Sequence, residues 1–166
     1  MKNLIKIFCV LLLSPCCFYA AMGQSKKTPL LVNDQNYVFV ANYINPSRGG
    51  GKALTNAYDV TVSKDSIVTY LPYYGRAYLA DYGSTDEGIK FTWTHFDYKI
   101  TSVDKKGNFE ILITPKNKSI GDTKAVQSMR LYISSDGYAS LQITNVNRDP
   151  VSFNGTIEER IKPKGI

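Results

Sequence analysis

Residues 89–103 read IKFTWTHFDYKITSV. Up to Trp93 the apolar side chains fall on odd positions (Ile89, Phe91, Trp93), and from Phe96 onward on even ones (Phe96, Tyr98, Ile100). Such alternation marks a strand with one buried face, because successive side chains of a pleated backbone point to opposite sides. A one-residue change of phase would turn the second half inside out unless the chain bulges or bends between the halves. The segment therefore predicts one long, bent strand from Ile89 to Val103, with its irregularity at His95.

The same period recurs on both sides of this run. YDVTV (58–62) places Tyr58, Val60 and Val62 on one face, and SKDS turns the chain into IVTYL (67–71). FEILI (109–113), MRLYI (129–133), ASLQI (139–143) and VSFNGTI (151–157) continue the series. The intervening DKKGN, SSDG and NVNRDP are rich in residues that accept tight turns. No segment keeps an i, i+3, i+4, i+7 apolar stripe through three helical turns. The fold class expected is all-β: an antiparallel meander of about eight strands in a small barrel or barrel-like sheet, since closure removes unpaired edges. A two-sheet sandwich is the alternative. The opening strand, YVFVANYI (37–44), is apolar on both parities and is expected to be covered on both sides. The longer connections, 45–56, 72–88 and 115–127, are where a β-scaffold is expected to carry function.

The N-terminus reads as an export signal. Lys2 and Lys6 precede and interrupt a short apolar run ending at Leu13, and Ala21 and Gly23 supply the small residues for cleavage before Gln24. The run is shorter than the ~20 residues that span a bilayer, so no transmembrane segment is expected once the signal is removed. The domain reading is signal peptide 1–23, N-terminal linker 24–36, a single β domain 37–158 and a C-terminal tail 159–166. The product is expected in the periplasm or secreted, with lipid anchoring through Cys16 or Cys17 as the alternative. Cys9, Cys16 and Cys17 all fall within the signal, so the mature chain would have no disulfide, thiol nucleophile or thiolate metal site. Loss of Lys2 and Lys6 leaves 18 basic against 14 acidic residues, a net charge of +4. The lysines are scattered near turns rather than gathered on one face, which argues against nucleic acid as a partner.

YLPYYGRAYLADYG (70–83) holds five tyrosines and one arginine in fourteen positions. Pro72 has no N–H for a ladder, and Gly75 permits a positive φ. Two readings stay open. Tyr73, Tyr74, Tyr78 and Tyr82 with Arg76 form a ligand platform at one end of the barrel, since tyrosine and arginine are enriched at binding hot spots. Alternatively the rings plug a corner of the core while Arg76 pairs with Asp81, Asp86 or Glu87. Arg148, in the second polar corner, either locks the last hairpin or joins Arg76 in one anion-binding pocket.

The same stretch carries a resemblance. LPYYGRAY resembles the signature of exported, uncharacterised proteins of Gram-negative bacteria that form the domain of unknown function family numbered 4251. DEGIKFTW, ISSDGYASLQI and NRDPVSFNGTI match later elements, and NYVFVANYINP looks like the opening strand, so the likeness spans about residues 33–158. Two features depart from the pattern: Tyr74 stands where the family often has phenylalanine, and no helical segment is expected before the first strand. The resemblance implies export and a single domain, and no activity.

Motifs with stronger chemical content are lacking. His95 is the lone histidine and reads as a structural residue at the bend; with no mature cysteine, no metal or other cofactor is expected. GGGK (49–52) has no following Ser/Thr and no βαβ context, and reads as a hairpin tip. Asp81, Asp86, Glu87 and Asp97 offer carboxylates for a hydrolase, the least favoured class, because any chain with fourteen acids offers such pairs. The expectation is a non-enzymatic binding module for a small amphipathic molecule, a glycan or a peptide, with Tyr73, Tyr74, Arg76, Tyr78, Tyr82 and Arg148 as contacts. A structural or assembly protein of the cell envelope, with a protein partner, is the alternative.

Overall fold

A computed structural model describes residues 27–76, 88–116 and 126–160. Nine strands follow one another: β1 (Tyr37–Pro46), β2 (Lys52–Val62), β3 (Ile67–Leu71), β4 (Ile89–Trp93), β5 (Phe96–Val103), β6 (Phe109–Pro115), β7 (Val126–Ile133), β8 (Tyr138–Asn145) and β9 (Val151–Glu159). They make one antiparallel sheet in the order β4-β3-β2-β1-β9-β8-β7-β6-β5. The domain is all-β, a meander rolled into a nearly closed barrel rather than two packed sheets.

β4 and β5 occupy opposite ends of that order, yet only Thr94 and His95 separate them. Eight antiparallel steps lie between them, so they run in the same direction. They are two halves of one run: the first pairs with β3 and the second with β6. The phase change at His95 is thus where the strand leaves one neighbour and takes up another. A ladder path shows the closure. It goes from Val103 through Phe109, Ile133, Ala139, Gly155 and Ala41 to Tyr58. The Asp59–Tyr70 and Leu71–Ile89 pairings then return it to the start of the same run. This stagger is the shear that a tilted barrel requires.

The inward residues of the doubly paired strands form the core, with Phe39, Ile111, Leu131, Leu141 and Phe153 almost fully buried. On β4 and β5, paired on one side only, the corresponding Phe91, Trp93, Phe96, Tyr98 and Ile100 are half-buried. β1 departs from expectation. Its inward face is buried, but Val38 and Val40 are half-buried and Asn42 and Tyr43 exposed. A single rolled sheet has only one packed face. The connection expected over 45–56 is also shorter, because β1 runs to Pro46 and β2 starts at Lys52.

The second correction lies before β1. Residues 27–33 form a short helix, α1, where none was expected. Two turns are too few to show an apolar period, and such a helix is marginal in isolation. It is held by tertiary contacts: Val32 is completely buried, and its carbonyl accepts a hydrogen bond from the Tyr98 hydroxyl at 3.2 Å. Pro29 sits in the first turn, where its missing N–H costs nothing, and Gln35 at φ 50° ends the segment. α1 covers the end of the barrel where β1 begins, here the lower end. Among the described residues no helix is long and apolar enough to cross a membrane. The expected signal peptide, Tyr78, Tyr82, Asp81, Asp86 and Glu87 lie outside the described residues.

Candidate functional site

At the upper end, where β1, β3 and β8 finish, three connections meet. The first is the start of the tyrosine-rich stretch. Leu71 and Pro72 are buried, and Tyr73 follows them inward at 8% exposure, while Tyr74 turns out at 45%. The Tyr73 hydroxyl donates to the carbonyls of Arg76 (3.1 Å) and Asp149 (3.3 Å). Gly75 is not at positive φ, contrary to expectation. It is needed for space, since a Cβ there would lie 2.5 Å from the Tyr73 hydroxyl.

The second connection is NVNRDP, after β8. The Asp149 N–H donates to the Arg76 carbonyl at 3.2 Å, and the Arg148 guanidinium lies 4.8 Å from the Tyr73 ring centroid. β3 and β8 stand four strands apart in either direction around the barrel, on opposite walls. The bonds among Tyr73, Arg76 and Asp149 therefore form a strap across the barrel mouth. The Ser47 hydroxyl donates to the Pro150 carbonyl and ties the third connection, from β1 to β2, to the same corner. Outside the strap, Lys52 Nζ lies 5.0 Å above the Tyr74 ring, and Tyr58 stacks on Tyr70 at 5.5 Å.

The stretch divides between core and surface. Tyr73 is a plug; Tyr74 and Arg76 are exposed. Arg148 comes to the same strap, on the face of Tyr73. Tyr78 and Tyr82 lie outside the described residues. His95 is exposed at the bend, with Nδ1 3.1 Å from the Thr94 hydroxyl, and Asp97 is ion-paired with Lys116 at 3.1 Å.

Two residues of this end carry no signal in the sequence. Thr69 on β3 and Asn145 on β8 occupy inward positions of their alternating strands, at 2% and 7% exposure. Among the described residues, Thr69 Oγ1 and Asn145 Nδ2 have no hydrogen-bond partner. Thr69 is two residues before the end of β3 and Asn145 is the last residue of β8. The two corners that follow these strands are the ones bonded to each other in the strap. The unpaired atoms accordingly lie on opposite walls beneath it. Each buried polar group without a partner costs roughly 1–3 kcal/mol, so two in one layer call for a physical explanation. Phe91 pairs laterally with Thr69 on β4, and the Phe91 and Trp93 rings lie 4.4 Å apart, half-buried at the side of the mouth.

The family model described as a domain of unknown function (DUF4251) matches residues 22–157. The chain belongs to the DUF4251 family. A crystal structure of a DUF4251 family protein from Bacteroides eggerthii DSM 20697 has the same fold. Its TM-score is 0.56 at 20% identity, over 84% of this chain and 90% of that one. No curated protein matches the chain. The DUF4251 match takes in the whole strap, β3 and β8, so the barrel mouth lies wholly within the family domain.

Proposed function

We propose that this DUF4251 domain is an exported, non-enzymatic binding module that holds a small, neutral, amphipathic molecule in the upper end of its barrel. The observation that carries the reading is the pair of buried, unpartnered polar atoms beneath the strap. Asn145 Nδ2 is a donor and asks for an oxygen acceptor, while the Thr69 hydroxyl takes either role. The ligand would therefore present a carbonyl or hydroxyl oxygen toward Asn145 and lay an apolar body against Phe91 and Trp93. Small-molecule sites commonly combine a mainly apolar lining with a few placed polar groups. Export rests on the N-terminal signal pattern.

Nile red, a neutral dye with one carbonyl acceptor, is a suitable probe. Titration into the mature protein should shift the dye's emission to the blue and quench Trp93. Thr69→Val and Asn145→Leu should each weaken binding several-fold while leaving the unfolding temperature unchanged or higher. A dye that does not bind, or binds both variants as tightly as the parent, would sink the reading.

A further inference from the structure

A second feature lies on the outer face, away from the strap. A groove of about 620 Å³ runs across the strands and is lined by Asn42, Glu110, Tyr132, Tyr138, Ser140 and Asn154, among others. This volume falls in the range of small-ligand sites, roughly 300–1,000 Å³. Its floor is one cross-strand row: Ser102 pairs with Glu110, Glu110 with Tyr132, Tyr132 with Ser140, and Ser140 with Asn154. Each is an outward position on its strand.

The row is bounded by a β-bulge at either end. On β1 the register to both neighbours skips Asn42, which is exposed and lines the groove. Opposite this bulge stands Gly155, where a Cβ would lie 1.9 Å from the Val40 carbonyl oxygen. On β5 the register skips Thr101, whose hydroxyl bonds to the Glu110 carbonyl at 3.1 Å, and Ser102 follows into the groove. Bulges re-aim side chains and recur beside functional sites.

Two tyrosines wall the groove, Tyr138 at 70% exposure and Tyr132 at 47%. Glu110 is held in place from three sides. Arg130 pairs with it at 2.7 Å, the Tyr132 hydroxyl donates to it at 3.2 Å and the Ser102 hydroxyl at 3.3 Å. The Arg130 hydrogen bond, ahead of those from Tyr132 and Ser102, keeps its carboxyl below the usual range.

We infer that this groove is a binding site for a neutral oligosaccharide. Both carboxylates of its lining are already engaged, Glu110 by Arg130 and Asp104 by the backbone N–H groups of Lys106 and Asn108 and the Asn108 amide, so an ionic ligand gains little there. An extended peptide docks by adding a strand to a free sheet edge, and the strands from β6 to β1 under the groove are paired on both sides. What the groove does offer is amides, hydroxyls and two fixed carboxylates, flanked by exposed flat rings. That set suits the hydroxyls and C–H faces of linked sugars.

The test uses the mature protein on an array of neutral glucan, xylan, mannan and chitin fragments, followed by calorimetric titration of any hit. At least one fragment should bind, and Tyr138→Ala and Asn154→Ala should each lower its affinity about ten-fold or more. Both residues are exposed, so unfolding temperatures should not move. Thr69→Val should leave sugar binding intact, which separates this site from the barrel mouth. No binding across the array, or equal affinity in both groove variants, overturns the inference.

Discussion

The hydroxyls of Tyr37 and Tyr98 lie 3.1 Å apart, although their strands, β1 and β5, share no ladder. Tyr98 donates to the Val32 carbonyl, so the proton between the two rings belongs to Tyr37. The chain of bonds runs from the first strand, through the second half of the bent run, to α1. It fastens the lower end of the barrel as the Tyr73 strap fastens the upper one.

This pair sets an alkaline limit on stability. Burial, followed by the neighbouring Tyr98, pushes the Tyr37 hydroxyl well above its ordinary 10.0, and burial pushes Tyr98 up to about 12. Below pH 10 both hydroxyls are protonated in the folded and unfolded chain, and the contribution is complete. Between pH 10 and about 12 the unfolded chain releases these protons first, so stability falls as pH rises. Urea midpoints measured across this window should decline for the parent. In Tyr98→Phe the decline should be shallower, from a lower starting point, because Tyr37 loses its acceptor at about 1–3 kcal/mol.

Gly155→Ala should be among the most damaging single changes. The added methyl would meet backbone, the Val40 carbonyl at 1.9 Å, rather than a flexible side-chain tip. Only a shift of β1 against β9, the central pair of the sheet order, relieves it. A loss of about 3 kcal/mol or more is expected, read as a large drop in thermal midpoint or as insoluble product.

Tyr73→Phe keeps the buried ring and removes the hydroxyl that joins Arg76 to Asp149. A loss of about 1–2 kcal/mol is expected. Arg148→Ala removes only the cation above that ring and should cost about 0.5–1 kcal/mol. Thermal midpoints of the two variants should fall in that order; the reverse order would mean that the guanidinium, not the hydroxyl, secures the strap.

Thr69→Val and Asn145→Leu should be tolerated unusually well for core polar residues. Each replaces an unpartnered buried atom by an apolar one of similar size, a change that is nearly neutral or stabilising. Denaturant midpoints should stay level or rise by the equivalent of about 1 kcal/mol. A clear fall in both would mean that the groups are satisfied by water inside the barrel.

The all-β class and the bend at His95 were legible because alternation is a local record of which face is buried. The phase change could be read without knowing the partners on either side. Tyr73 and Tyr74 could not be told apart in the same way. Both follow the end of β3, outside any ladder, and Tyr73 is fixed inward by its bonds to the Arg76 and Asp149 carbonyls, the second of them far along the chain. α1 escaped notice because its stability comes from Val32 and Tyr98 rather than from its own seven residues.

The two candidate sites differ most from what the sequence offered. The groove takes one outward residue from each of several strands, and every such residue is ordinary where it stands. Thr69 and Asn145 lie 76 positions apart and become a pair only because β3 and β8 stand on opposite walls of one barrel. By itself the sequence determined the pleat, its phase and the turn positions, since each follows from contacts within a few residues. The tertiary structure decided the closure, the strap and both sites, because the registers that bring those residues together join segments far apart along the chain.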